Sequence, residues 1–177
     1  MMINDYHSST NVKMENTRHR LVTWEDPLIG AQAARNLSGL EYLMAMKNGE
    51  LPAPPIMKLI GLEGFEATEG RVVFAFTPDE SHYNPIGTVH GGVITTVLDS
   101  AMGCTVHSTL PAGVGYTTLE LKVNFLRPLT TRTGLVQCAG RIIHSGSKSA
   151  LVEAQLTDGS GKVYAYAVST CLILREN

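Results

Sequence analysis

Asn84-Pro85-Ile86-Gly87-Thr88-Val89-His90-Gly91-Gly92, running on through small and apolar residues to Asp99, is the stretch on which the rest of the chain turns. Pro85 and Gly87 keep its first half out of helix. The two glycines then open a segment, Val93 to His107, with apolar and small residues at helical spacing. A loop leading into a helix is expected. Gly91 and Gly92 have no Cβ, so a ligand can approach their backbone closely. The first amides of a helix lack an intrahelical acceptor and lie at the positive end of its dipole. That suits a carbonyl oxygen gaining negative charge. Asp99 follows Gly91 by eight residues, about two turns, on a nearby face deeper along the helix.

Each piece alone has a plain structural reading. A Gly-Gly before a helix is ordinarily a tight turn, and a single Asp in a helix is ordinarily solvated. His90 reads first as a capping or core histidine, and Asn84 before Pro85 is ordinary turn chemistry. Together they place a loop amide, open helix amides and a carboxylate within fifteen residues. Hydrolysis of an activated acyl group needs such a set: oxyanion donors and a base or nucleophile.

Working outward, Pro111-Ala112-Gly113 is a turn, and strands without another helix follow. Tyr116 to Leu126 alternates, with Thr117, Leu119, Leu121, Val123 and Phe125 on one face and Thr118, Glu120, Lys122 and Asn124 on the other. Leu135 to His144 and Ser149 to Thr157 flank the turn Ser145-Gly146-Ser147. Asp158-Gly159-Ser160-Gly161 is a hairpin signal before a last strand, Val163 to Leu174. On the N-terminal side, Leu62 to Thr68 and Arg71 to Thr77 read as strands joined at Glu69-Gly70, with Val72, Phe74 and Phe76 sharing a face. Before them, Ile56 to Ile60 forms a helical turn ending at Gly61. Ser38-Gly39-Leu40-Glu41 is a capping box that opens a helix from Gly39 to Lys47, and Asp26-Pro27 opens another over Leu28 to Asn36. Residues 1 to about 23 are polar and aperiodic, a tail or an arm that packs on a partner. The fold class is α+β: an antiparallel sheet of about six strands wrapped around one long helix. The division is a tail and helical extension over 1–58 and a sheet-and-helix domain over 59–177.

Composition sets outer bounds. The chain has 177 residues, 44% hydrophobic and 17% charged, enough for one domain with a real core. A net charge of −2 argues against bulk nucleic-acid binding. No apolar run approaches the ~20 residues of a membrane span. The N-terminus has no basic flank followed by an apolar core, so no secretory signal is read. Cys104, Cys138 and Cys171 are odd in number and far apart, which suggests neither a disulfide framework nor a zinc site. A cytoplasmic location is expected, with no nucleic-acid or membrane partner. No histidine or acid spacing suggests a metal.

Gly87-Thr88-Val89-His90-Gly91-Gly92 with Asp99 resembles the motif of hotdog-fold acyl-CoA thioesterases, and the phenylacetate-pathway (PaaI-like) branch in particular. Thr117 to Pro128 is similar in style to a later segment of that family. The resemblance covers about Leu59 to Leu174 and leaves out the helical extension. It implies two subunits paired edge to edge, a homodimer or a homotetramer made of two dimers, with the active site at the dimer interface. The Gly91 amide would polarise the thioester carbonyl, and Asn84 would position water or hold the carbonyl. Asp99 of a second subunit would be the base or nucleophile, with Thr118 orienting water and His90 shaping the start of the helix. The substrate would be an aryl- or medium-chain acyl-CoA, split into free acid and coenzyme A, with no cofactor beyond the coenzyme A of the substrate itself. Gly92 would belong to the substrate- and coenzyme A-binding residues. Arg127, Ser147 and Lys148, followed by Arg141, are candidates to hold the coenzyme A phosphates. Ile56, Leu59, Ile60, Tyr83 and Met102 are candidates for the acyl pocket. Two alternatives stay open. One is a non-catalytic acyl-CoA-binding hotdog module, which the presence of Asp99 disfavours. The other is a hotdog dehydratase or hydratase using His90 and Asp99, which the Gly-Gly placement disfavours.

Overall fold

A computed structural model describes residues 17–175 of the chain. Residues 1–16 of the expected tail lie outside the described residues. Six antiparallel strands form one sheet: β1 (Leu62–Thr68), β2 (Arg71–Phe76), β3 (Val114–Phe125), β4 (Val136–Ser145), β5 (Ser149–Asp158) and β6 (Val163–Arg175). Their order is β1-β2-β4-β5-β6-β3. The long helix α4 (Gly91–His107) packs across β2 to β6, the hotdog arrangement. Among the described residues three short helices precede the sheet: α1 (Pro27–Ala33), α2 (Gly39–Lys47) and α3 (Pro55–Ile60).

Local chemistry accounts for most of these boundaries. Asp26 caps α1 by accepting from the Leu28 N–H at 2.9 Å. The Ser38/Glu41 capping box is formed, with the Ser38 N–H donating to Glu41 at 2.8 Å. Gly61 ends α3 with φ +74°, a conformation that glycine adopts without steric cost. In the β5–β6 hairpin Asp158 accepts from the N–H groups of Ser160 and Lys162 and from the Tyr164 hydroxyl. α4 starts two residues earlier than the apolar pattern predicts, because His90 caps it and both glycines take helical positions.

The core lies between α4 and the sheet. Ile94, Val97, Leu98, Ala101, Met102 and Val106 of α4 are buried against Val72, Phe74 and Phe76 of β2, the face foreseen from the alternation. Each large side chain so buried contributes roughly 1.5–3 kcal/mol. Thr105 of α4 and Ser108 at its C-cap are buried because they tie the helix to the sheet. Thr105 Oγ1 accepts from the Val72 N–H at 3.2 Å, and Ser108 Oγ accepts from the Gly70 N–H at 2.9 Å. Leu43 of α2 and Met57 of α3 belong to the same buried cluster, so the helical extension and the sheet share one core.

β3 departs from the expected alternation. Its pairing with β6 shifts between Thr118 and Glu120, which leaves Leu119 as a bulge that is 60% exposed. Before the bulge the inward residues are Val114, Tyr116 and Thr118; after it they are Leu121 and Val123. The face that continues inward from Leu121 therefore carries Thr118 and not Thr117 or Leu119. An extra residue inverts the phase of a strand, and periodicity alone cannot show where it sits.

Candidate active site

The loop before α4 is held together by Asn84. Its Oδ1 accepts from the N–H groups of Ile86 and Thr88 at 3.1 and 3.2 Å, and its Nδ2 donates to Thr88 Oγ1 at 3.0 Å. The Asn84 carboxamide is thus largely engaged in shaping the loop, with one N–H left over. His90 Nδ1 accepts from the Gly92 N–H at 2.9 Å, so His90 is the N-cap and Gly92 is an occupied donor. Among the described residues none accepts from the Gly91 N–H. This open amide lies at the start of a 17-residue helix, where the dipole favours negative charge. Asn84, Thr88 and Gly91 line a hollow of about 310 Å³ with Phe125, Arg127 and Leu129. The Phe125 ring stands 3.2 Å from where a Cβ on Gly91 would be.

Asp99 lies in a different hollow. Eight residues of helix separate it from Gly91, about 12 Å along the axis. Its Oδ1 accepts from the Thr118 hydroxyl at 3.0 Å, and its Oδ2 takes no donor among the described residues. The hollow is about 230 Å³. Its walls are Met46, Ile56, Met57, Phe74, Gly103 and Tyr116, with Asp99, Ser100, Cys104 and Thr118 at its polar side. The carboxylate influences its neighbours. Burial, with the Asp99 charge adding to it, pushes the Cys104 thiol up to about 12. Burial pushes the Tyr116 phenol well above its usual range, and the nearby thiols and Asp99 act in the same direction. Both groups stay neutral at physiological pH.

Within one chain the expected site residues thus divide in two. Gly91, Asn84 and Arg127 share one hollow, and Asp99 and Thr118 share the other. Arg127 also donates to the Val163 carbonyl. Ser147 and Lys148 are exposed on the β4–β5 turn and line neither hollow. Strand register places that turn at the Thr118 end of the sheet, two strands away, or roughly 10 Å. Arg141 is paired with Glu153, its Nε 3.0 Å from the carboxylate. Of the five residues expected to line an acyl pocket, Ile56 lines the Asp99 hollow and the other four do not. Met102 is buried in the core, Leu59 is exposed, and the Tyr83 hydroxyl bonds the Thr131 N–H at 2.9 Å. The walls of that hollow come instead from Met46, Met57 and Tyr116 among others. The available signal was Tyr116 standing two residues before Thr118, on the same face of a strand.

His82 is a further residue that sequence reasoning passed over. It is buried in the loop, its Nδ1 accepts from the Asp79 N–H at 3.0 Å, and its carbonyl accepts from the His90 N–H at 2.8 Å. It underpins the segment that delivers Gly91. Among the described residues no three His, Cys, Asp or Glu side chains are grouped to hold a metal, and no helix is long and apolar enough to cross a membrane.

A hotdog sheet with an open amide at the start of its central helix and a hydrogen-bonded carboxylate farther along it defines a class of acyl-thioester-handling proteins. Comparison with known proteins agrees. The profile of the Thioesterase superfamily matches residues 86–165. A protein of Saccharolobus solfataricus named as an esterase is 30% identical over 123 residues, 70% of this chain and 86% of that one. The 1,4-dihydroxy-2-naphthoyl-CoA hydrolase of Listeria monocytogenes is 25% identical over 118 residues, 67% of this chain and 93% of that one. The crystal structure of a phenylacetic acid degradation-related protein of Ralstonia eutropha JMP134, described as a thioesterase, superposes with a TM-score of 0.68 at 30% identity, covering 74% of this chain and 98% of that one. The chain belongs to the thioesterase superfamily, a family of hydrolases.

Proposed function

We propose that the protein hydrolyses acyl-CoA thioesters to the free acid and coenzyme A, with Asp99 as general base. The observation that carries this reading is the Asp99 carboxylate itself: one oxygen is fixed by Thr118 at 3.0 Å, the other takes no donor among the described residues, and the residue lines a hollow. Asp99 Oδ2 takes the proton of a water as its oxygen attacks the thioester carbon. The carbonyl oxygen becomes an oxyanion, stabilised by the Gly91 N–H, and the tetrahedral adduct collapses with loss of coenzyme A as a thiolate. The thiolate is a good leaving group because a thiol ionises near 8.5. The remaining Asn84 N–H assists at the carbonyl.

The separation of Gly91 from Asp99 calls for two copies, one supplying the amide and the other the carboxylate. The edge strand β3 is the place for the pairing. It is 12 residues long, with an unpaired outer edge and with Leu119 and Phe125 more than half exposed. The chemistry then falls to residues 59–177, while the extension within 1–58 walls the acyl hollow. Arg127 and the Ser147-Lys148 turn are our candidates to hold the phosphates of coenzyme A.

The test is release of free thiol from a panel of aryl- and medium-chain acyl-CoAs by the intact protein and by Asp99→Ala. Loss of a general base removes roughly 10²- to 10⁴-fold in rate. A fall of that size with Asp99→Ala is expected. Saturable acyl-CoA binding without turnover would replace the hydrolase reading with a binding module. Turnover that survives the substitution would move the base elsewhere.

A further inference from the structure

We propose that Arg20, from the segment before the first helix, is a positioning residue: its guanidinium sets the turn from which the Gly91 amide is delivered. The inference rests on the oxyanion role of Gly91 proposed above.

A chain of contacts runs from residue 20 to residue 91. Arg20 Nη2 donates to the Lys58 carbonyl at 3.0 Å, and Nη1 donates to Ser81 Oγ at 3.4 Å. Lys58 lies in the last turn of α3, where carbonyls lack an intrahelical donor, so the first bond satisfies an otherwise open acceptor. The guanidinium is closely seated there: Nη2 is 3.0 Å from where a Cβ on Gly61 would stand. Ser81 belongs to a single 3₁₀ turn, Glu80–His82. Arg18 pairs with Glu80, so two arginines of one short segment hold the same turn. His82 ends that turn, and its carbonyl accepts from the His90 N–H at 2.8 Å. Tyr83, the next residue, bridges to Val89. His90 caps α4, and Gly91 follows it. The same guanidinium thus joins α3, which supplies Ile56 and Met57 to the Asp99 hollow, to the turn that leads to Gly91.

These arginine contacts are exposed, so they add little to global stability. What they restrict is where the turn sits. A shift of the turn carries the His82 carbonyl, the cap and the Gly91 amide with it. An oxyanion donor acts only within hydrogen-bond reach of the place the oxygen will occupy. Charge develops on that oxygen in the transition state, so misplacing the donor lowers kcat and leaves KM nearly unchanged. A guanidinium holds two acceptors at a fixed angle, which a lysine ammonium does not. Residue 20 lies outside residues 86–165, the part matched by the superfamily profile, so the clamp is an addition made by this chain's own extension.

The test uses the full-length protein, with Arg20→Ala, Ser81→Ala and the double variant, and steady-state thiol release from the acyl-CoA that the native protein hydrolyses fastest. In Arg20→Ala kcat is expected to fall about 10-fold with KM within about twofold of native, and the thermal midpoint stays near the native one. Ser81→Ala falls part of the way, and the double variant is no slower than Arg20→Ala, because both substitutions remove one bond. Amide hydrogen exchange gives a readout independent of turnover. The His90 N–H exchanges at least about 10-fold faster in Arg20→Ala, while the Val72 N–H, bonded to Thr105 Oγ1 in the core, keeps its native rate. A native kcat overturns the proposal, as do additive losses in the double variant. So does a lowered kcat with native exchange at His90, or faster exchange at both amides, which marks general loosening. If the native protein turns over no acyl-CoA, the hydrolysis reading has failed, and the exchange rates of His90 and Val72 alone decide whether Arg20 sets the turn.

Discussion

Thr118 matters through a single atom. Its hydroxyl is the donor to Asp99 Oδ1, and a hydrogen bond to a charged group contributes roughly 1.5–3 kcal/mol. Thr118→Val keeps the shape and deletes the donor. Its kcat is expected to fall about 10- to 100-fold with little change in KM, and Thr118→Ser to recover most of it, in steady-state thiol-release assays. His82 gives a pH dependence whose sign can be worked out. Burial is the main cause holding it below its usual 6.5; Asp79 opposes this, Arg20 reinforces it, and the Ile60 carbonyl opposes it. Because the folded value lies below the unfolded one, the unfolded chain binds the proton more readily. The neutral imidazole's contribution is complete above pH 6.5 and is lost as the pH falls through the lower folded value. The thermal midpoint should fall on acidification from about pH 7 to pH 5, the range in which histidine titrates. In His82→Asn, which keeps an acceptor for the Asp79 N–H but does not titrate, the midpoint should start lower and fall less. His107, also held down by burial, leaves a residual slope.

Among the elements, α2 tests how the extension is joined to the rest. Leu43 is fully buried in the cluster that holds Phe74 and Val97. Leu43→Ala should cost roughly 2–5 kcal/mol in denaturant unfolding, as for a core leucine. A cost below about 0.5 kcal/mol, the size of an ordinary surface substitution, would mean that α2 is only laid on the surface. The capping box on α2, the strands β1 and β2 and the β5–β6 hairpin were legible in sequence, because their signals are local: a side chain three residues from the amide it caps, a two-residue period, a turn that needs Asp and Gly. The bulge at Leu119 was not. Thr117 to Phe125 alternates cleanly, and only the pairing with β6 decides which half of the strand is out of phase.

For the whole molecule, the 12 Å or so of helix between Gly91 and Asp99 makes a two-copy site a quantitative claim. Asp99→Ala and Gly91→Val subunits, each inactive alone, should regain activity when refolded together. In a random mixture half of the dimers are hybrids, and each hybrid has one intact site, so about a quarter of the sites recover. A site contained within one chain would recover nothing. Thiol release from the mixture against each variant alone reads the difference directly.

The sequence by itself determined the class of fold and the residue types of the chemistry. Period-two strands, one apolar helix, Gly-Gly at its start and an acid two turns on are short-range patterns, and steric and hydrogen-bonding rules act on them locally. Their grouping belonged to the tertiary structure. Contiguity in sequence placed Gly91, Asn84 and Asp99 together, and the length of α4 divided them between two hollows. Sequence joined Thr118 to Glu120 on one face, and the bulge turned it to Asp99. Met46 and Met57 line the Asp99 hollow because α2 and α3 fold across its end. The physical reason is common to all three. A side chain's partner across a hollow is set by strand register and helix docking, both of which depend on residues far away in the chain.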